Sequence, residues 1–239
     1  MAKGHVILSG KIGPVVACFI KANNSIRYRA HPRKYKTTTP VKKRRTTFGR
    51  ASTWGRLFRK RLISILPFPK DKSMQGKFSG AMTKWITTTA ITELQPVQQI
   101  PFLNGFQFNE ATSLEARWKV DIEMVKNAEG EFILKIPSFI PKSQIVAPAG
   151  TVSVECRIAA AGFMLENNTE TGQFHEVTVF PLNDEEVTER EIQLGINSQP
   201  GCMVICGIYI IYKINNKSWK TETDNPKFMP AGIVGAVYC

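Results

Sequence analysis

Most of the side chains in this sequence that are suited to binding another molecule are Lys and Arg residues near the N-terminus. The first 70 residues contain 18 Lys and Arg and no Asp or Glu, whereas residues 71–239 contain 14 basic and 19 acidic side chains. The excess positive charge, +13 in total, therefore lies at one end of the chain. This asymmetry predicts a polyanionic partner or a basic docking arm.

Aromatic rings are interleaved with these cations, at Tyr28, Tyr35 and Phe48. Cations that contact phosphates beside rings that stack on bases are typical of a nucleic-acid-binding surface. The alternative is an assembly arm whose charges meet the acidic surface of a neighbouring subunit. A membrane surface or another partner is a third interpretation. The candidate docking residues are Arg27, Arg29, Arg33, Lys34, Lys36, Lys42, Lys43, Arg44, Arg45, Arg50, Arg56, Arg59, Lys60 and Arg61.

Residues suited to catalysis or metal binding are sparse. The histidines are His5, His31 and His175, and His175 beside Glu176 on a predicted strand is typical of a solvated pair. A catalytic nucleophile needs a base held by a third group, and no Gly-x-Ser-x-Gly motif occurs. The acidic cluster at 184–191 lacks the ligand spacing of a calcium loop and is interpreted as a solvated turn and strand edge. We therefore predict no enzyme activity, no cofactor and no metal site.

The cysteines are odd in number and far apart, which predicts free core thiols in a protein of a reducing compartment. They are Cys18, Cys156, Cys202, Cys206 and Cys239. No second pair accompanies Cys202 and Cys206, so a zinc site is not expected. No apolar run reaches the ~18 residues that span a bilayer, and no signal peptide is recognised. These features predict synthesis in the cytoplasm without a signal peptide, with a virion as a candidate final location.

The N-terminal elements follow from local pattern. The alternation and the Asn23-Asn24 turn predict a hairpin over residues 15–29, and the Pro-, Lys- and Thr-rich residues 31–45 predict a basic extended arm. Residues 1–45 form the first predicted domain. A basic helical segment, residues 46–92, follows with Ser73 as a candidate N-cap. Its two helical stripes are Phe48, Ala51, Trp54, Phe58, Leu62 and Ile65, then Met74, Phe78, Met82, Trp85 and Thr89.

Beyond Thr92 the hydrophobic period changes to two, which predicts strands. The predicted strands cover residues 116–124, 132–136, 152–158, 174–180, 192–196, 203–212, 218–221 and 232–238, with 203–212 central. The fold class is mainly β. It is an antiparallel β-sandwich, immunoglobulin-like or jelly-roll-like, over residues 93–239, preceded by the basic hairpin and arm and a short helix pair. A fragment beginning near Gln95 is expected to fold on its own.

The N-terminal motif carries a family resemblance. Residues 9–16 (Ser-Gly-Lys-Ile-Gly-Pro-Val-Val) and 27–34 (Arg-Tyr-Arg-Ala-His-Pro-Arg-Lys) resemble the opening of an uncharacterised bacterial family common in Bacteroidota. The last strand, residues 230–238, is similar to the closing strand of that family. This chain departs from the pattern at Ala17-Cys18-Phe19, where Gly and an aromatic residue are expected. The resemblance implies a hairpin, a helical segment and a β-rich C-terminal part, and it implies no functional residues.

These observations favour a non-enzymatic structural protein that docks through its basic N-terminal region into a larger assembly. The expected partners are copies of itself or other subunits, and a phage or virus-like particle is one candidate for the assembly. The alternative is a cytoplasmic nucleic-acid-binding protein that uses the same basic residues.

Overall fold

The computed structural model describes residues 10–13, 15–20, 22–23, 25–30, 38–63, 73–89, 98–197, 199–214 and 226–239. The chain separates into two compact units, residues 1–43 and residues 44–239. The strand expected at 218–221 and the proline turn at 66–69 lie outside the described residues.

The N-terminal unit contains a three-stranded antiparallel sheet of β1 (Gly10–Ile12), β2 (Val15–Ile20) and β3 (Ser25–Ala30), in that order. Strands β2 and β3 form the predicted hairpin, in which Cys18 pairs with Arg27. Strand β1 adds an edge that the sequence pattern did not indicate. The turn from β1 to β2 passes through Gly13 at φ 60°, a left-handed conformation that favours glycine.

Two long helices follow, α1 (Thr39–Ile63) and α2 (Met74–Thr88). The extended arm expected up to residue 45 is therefore wrong from Thr39 onward. Pro40 explains the early start, because proline suits the first turn of a helix, where its missing N–H has no partner to lose. Ser73 precedes α2 but makes no side-chain cap, since its hydroxyl donates to Glu110 Oε1 at 2.7 Å.

The larger sheet has five antiparallel strands in the order β4-β11-β10-β7-β8. Strands β7 and β8 are one long hairpin, and β10 pairs with both β7 and β11. The continuously apolar β10 is thus the central strand, as predicted. The bounds are β4 (Gln98–Gln99), β7 (Thr151–Met164), β8 (Thr169–Pro181), β10 (Cys202–Ile214) and β11 (Ala231–Tyr238).

The smaller sheet has three antiparallel strands in the order β5-β6-β9. They are β5 (Glu123–Lys126), β6 (Glu131–Ile136) and β9 (Arg190–Asn197). The strand expected at 116–124 is wrong over residues 116–122 and correct only at its end. Ser113 accepts a hydrogen bond from the Ala116 amide and caps a short helix α3 (Leu114–Arg117), so the strand begins only at Glu123. A second short helix, α4 (Pro141–Gln144), follows β6.

Two hydrophobic cores lie on opposite faces of the five-stranded sheet, and β10 contributes to both. Its even-numbered residues, such as Val204 and Ile208, pack against Leu134 and Ile192 of the smaller sheet. Its odd-numbered residues, such as Ile205 and Tyr209, belong to the core that contains the apolar stripes of α1 and α2. The mainly β, antiparallel fold class is confirmed, with a helical layer added to the outer face of the sandwich.

Candidate functional site

The basic residues of α1 form the most distinctive surface of the molecule. The helix carries nine Lys and Arg and no Asp or Glu in 25 residues. Its apolar stripe of Ala51, Trp54, Phe58 and Leu62 is buried, so the charged side chains occupy the remaining faces. We call this set the basic face. Its members are Arg44, Arg45, Arg50, Arg56, Arg59, Lys60 and Arg61, and all are exposed except the half-buried Arg59 and Arg61. Lys42 and Lys43 are also exposed but belong to the N-terminal unit.

Specific contacts fix the rotation of α1 on the sheet. Trp54 Nε1 donates to the carbonyl oxygen of Leu165 at 3.2 Å. One turn later, the Phe58 ring meets the Phe163 ring edge-on, with 5.0 Å between centroids. Trp54 also lies 6.3 Å from Trp85 of α2, so the two aromatic stripes pack together as the sequence predicted. These anchors hold the basic face outward on a rigid support.

Five cations of the basic face make no ion pair with a carboxylate of the described residues. Arg61 donates to the Glu170 carboxylate, and the Arg50 guanidinium carbon lies 5.0 Å from the centroid of the Trp54 ring. Across the described residues, no carboxylate pairs with Arg44, Arg45, Arg56, Arg59 or Lys60. Like charges three or four residues apart on a helix repel one another, so a bound anion relieves this repulsion.

The remaining candidate docking residues precede α1. Arg27 and Arg29 are exposed on β3, and Tyr28 between them is 65% exposed. They belong to the N-terminal unit, whereas residues 44–61 of the basic face belong to the other. Arg33, Lys34, Lys36 and Tyr35 lie outside the described residues.

An acidic counterpart lies in the connection between β8 and β9. Asp184 accepts from Lys142 Nζ at 2.6 Å, and Glu191 accepts from Lys135 Nζ at 2.9 Å. Glu185 and Glu186 are exposed and make no ion pair in the part of the chain that the structure describes. The pKa of Lys135 is raised by its hydrogen bond with Glu191 and, to a smaller extent, by the charge of the exposed Glu189. We call Asp184, Glu185, Glu186, Glu189 and Glu191 the acidic patch. Its exposed turn agrees with the solvated turn expected from sequence.

His5 and His31 lie outside the described residues, and the other groups considered for catalysis do not form a site among the residues that the structure describes. His175 is exposed on β8. Cys156, Cys202 and Cys206 are buried, and burial raises the pKa of the Cys206 thiol to about 12, which disfavours the reactive thiolate. Among the described residues, no group of three or more His, Cys, Asp or Glu is placed to hold a metal ion. No helix in the described ranges is long and apolar enough to cross a membrane.

Comparison with known proteins gives no independent assignment for this surface. The resemblance of residues 9–16 and 27–34 to a bacterial family therefore stays a prediction, and the function has to be argued from the charges and contacts above. No protein-family model, no curated protein and no solved structure matches the chain.

Proposed function

We propose that the protein is a non-enzymatic assembly protein that docks into a larger complex through its basic N-terminal region. The observation that carries this proposal is the basic face, in which five cations that pair with no carboxylate of the described residues lie on a helix anchored to the sandwich. A basic segment ahead of a β-sandwich is also a layout found in virion shell proteins, so a phage or virus-like particle is a candidate assembly by analogy of layout.

The partner we propose is a second copy of this chain. The acidic patch supplies Glu185 and Glu186, exposed carboxylates that make no ion pair among the described residues, and the basic face supplies the opposite charges. Contact between two different surfaces of identical chains is heterologous, and it builds closed rings or open filaments. Complementary charges of this kind chiefly set orientation and the rate of encounter, while buried contacts add affinity.

A charge-swap experiment tests this proposal. Replacing Arg44 and Arg45 with Glu, or Glu185 and Glu186 with Lys, should each lower the molar mass of nuclease-treated protein, because each leaves like charges facing one another. Mixing the two variants should restore a complex. The reversed basic face of one variant meets the reversed acidic patch of the other, and the two unchanged surfaces also carry opposite charges. Molar mass is measured by light scattering after size-exclusion chromatography.

The matched control for the basic-face variant carries the same charge change elsewhere. Lys119 and Lys126 are exposed and lie outside the basic face, so their replacement by Glu should leave the molar mass unchanged. An Arg44→Glu, Arg45→Glu protein with the wild-type molar mass would overturn the proposed docking mode.

Nucleic-acid binding is the second candidate function, and exposed rings among the cations favour it. Phe48 is 56% exposed and lies one helical turn after Arg44 and Arg45, and Tyr28 is exposed between Arg27 and Arg29. Such rings are able to stack on unpaired bases while the cations contact phosphates. This combination favours single strands over duplex.

Salt dependence tests this second candidate. With about six phosphate contacts, the log–log slope of duplex binding against salt should be near −5, from the release of roughly 0.9 counterions per contact. Phe48→Ala should weaken single-strand binding by about 1–3 kcal/mol per lost stack and duplex binding much less. Fluorescence anisotropy at ~50 mM salt that detects neither duplex nor single-strand binding would exclude this function.

A further inference from the structure

Two neighbouring cavities, of about 340 and 370 Å³, open between α1 and the end of the five-stranded sheet. Both are lined by Arg50, Trp54, Leu165 and Glu166, so we treat them as one groove, the Arg50 groove. One end runs along α1 past Thr46, Gly49 and Thr53 to Asn168, and the other end reaches Gly201 and Tyr238. Volumes of about 300 Å³ and above are in the range of small-molecule sites.

The groove presents a flat cation beside aromatic rings. The Arg50 guanidinium carbon lies over the Trp54 ring, 5.0 Å from its centroid; Trp54 is only 3% exposed, while Arg50 itself is exposed. The Trp54, Trp85 and Tyr238 rings continue as one cluster, with 5.5 Å between the centroids of Trp85 and Tyr238. A guanidinium is planar and stacks on aromatic rings and bases, so the exposed Arg50 is suited to contact a second planar group.

Two buried polar atoms beside Tyr238 lack hydrogen-bond partners. They are Trp85 Nε1, a donor, and Gln98 Oε1, an acceptor. Gln98 lies directly opposite Tyr238 in the pairing of β4 with β11, and the Trp85 ring packs on the Tyr238 ring. Unpaired buried polar groups are uncommon and cost free energy. Neither Trp85 nor Gln98 lines the groove, so these two atoms belong to the packing around Tyr238 and are not counted among the groups that would contact a ligand.

We propose that the Arg50 groove binds a nucleotide, with the base stacked on the Arg50 guanidinium. The charges of Arg50 and Glu166 favour a nucleotide over a ligand that is only anionic. Glu166 opposes a bare polyanion but accepts hydrogen bonds from the exocyclic amino group of a base. The hydroxyl of Thr53 and the amide of Asn168, which also line the groove, supply further donors and acceptors. Arg45 lies one helical turn before Gly49 and places a second cation where the phosphate would leave the groove.

The same chemistry has two sources, a free mononucleotide or one nucleotide of a single strand that lies along the basic face. The inference does not depend on self-assembly, because every residue that it uses belongs to one copy of the chain.

Gly49 gives a way to block the groove without removing a contacting group. A Cβ at this position would meet no heavy atom within 4 Å, so Gly49→Leu fills groove space without a clash. Gly80→Leu is the matched control, because Gly80 is a helical glycine in α2 whose Cβ also meets open space and which does not line the groove. Circular dichroism of both variants checks that the fold is kept.

The experiment titrates the full-length, nuclease-treated protein with AMP, CMP, adenosine, inorganic phosphate and a short oligodeoxyadenylate, followed by calorimetry and tryptophan fluorescence. Mononucleotides should bind at least about tenfold more tightly than adenosine or phosphate alone, because base and phosphate are held together. Arg50→Gln and Gly49→Leu should each weaken binding at least about tenfold, and Gly80→Leu should not.

The outcomes decide between the sources and test the proposal. Binding of both AMP and the oligonucleotide, each lost in Gly49→Leu, assigns the groove to free nucleotides as well as strands. Binding of the oligonucleotide alone, also lost in Gly49→Leu, assigns it to strands. Absence of binding by any probe at millimolar concentration, or equal binding by the Gly49→Leu and Gly80→Leu variants, would overturn the proposal.

Discussion

Gly55 is the residue at which α1 and α2 approach most closely among the glycines of the two helices. A Cβ added there would lie 3.2 Å from Phe78 Cδ1 and 3.5 Å from Ser79 Oγ. At Gly49, Gly76 and Gly80 an added Cβ meets no heavy atom within 4 Å. A helical glycine lowers helix propensity by up to ~1 kcal/mol, but at position 55 it also leaves room for the close approach of Phe78.

We expect Gly55→Val to lower the free energy of unfolding by about 1–3 kcal/mol relative to Gly80→Val. The two substitutions change helix propensity equally, so their difference reports the clash with Phe78. Urea denaturation followed by circular dichroism measures it. Equal unfolding midpoints for the two variants would mean that α1 and α2 do not pack at this distance.

Glu155 is a second residue whose role depends on its tertiary surroundings. It is 8% exposed on β7, and its carboxylate accepts from Arg157 Nε at 2.6 Å and Lys213 Nζ at 2.9 Å. Burial, the largest effect, raises the pKa of Glu155, but the hydrogen bonds and charges of Lys213 and Arg157 outweigh it and the pKa is lowered. The folded state therefore favours ionised Glu155 more than the unfolded chain does.

This lowered pKa predicts a contribution to stability that depends on pH. The contribution is present above the ordinary glutamate pKa of about 4.3 and is lost as the pH falls through that value toward the lower pKa of the folded state. Glu155→Gln should therefore destabilise the protein at pH 7 by about 1–3 kcal/mol and much less near pH 3. Urea denaturation at both pH values measures this, and a pH-independent difference would contradict the ion-pair account.

At the scale of elements, α1 and α2 complete the fold of the sandwich. The outer face of the five-stranded sheet contains Phe163, Met203, Ile205 and Tyr209, all less than 5% exposed because the helices share their core. A single face of a sheet this apolar is not stable in water. A fragment that begins near Gln95 is expected from sequence to fold on its own. From the shared core we expect that it does not.

A fragment of residues 98–239 should aggregate or lose its near-ultraviolet circular dichroism, because removal of α1 and α2 exposes this face. Adding the segment 44–89 as a separate peptide should restore solubility in part. The control is a fragment of residues 44–239, which keeps both cores and should give a sharp unfolding transition. A soluble 98–239 fragment with native near-ultraviolet signal would contradict the role given to the helices.

Long elements were predictable from sequence and short ones were not. The apolar stripe from Ala51 to Leu62 repeats often enough for its helical period to identify it. The apolar run of β10 is unbroken and long enough to identify a central strand. β4 has two residues and exists because Gln98 and Gln99 pair with β11, a contact that no local pattern encodes. β5 was misplaced because the Ser113 cap, a single hydrogen bond, overrides the alternation that begins at Ala116.

At the scale of the whole molecule, charge is divided between surfaces as well as along the chain. The sequence predicts which residues are basic, but only the structure distinguishes Arg61, paired with Glu170, from Arg56 and Lys60, which have no carboxylate partner among the described residues. The Arg50 groove was not predictable, because it joins α1 to residues more than a hundred positions away in the chain. The residues offered to a proposed partner can therefore be identified only from the tertiary structure.

The measurement that tests the central claim most directly is the molar mass of nuclease-treated protein at low and high salt, by light scattering after size-exclusion chromatography. The account predicts a multiple of the 26.8 kDa chain at ~0.1 M salt that decreases toward one chain at ~1 M, where the Debye length falls from about 10 to about 3 Å. Replacing Lys42, Lys43, Arg44 and Arg45 with Gln should lower the mass at ~0.1 M salt as well. A mass of one chain at every salt concentration after nuclease treatment would contradict self-assembly through the basic face.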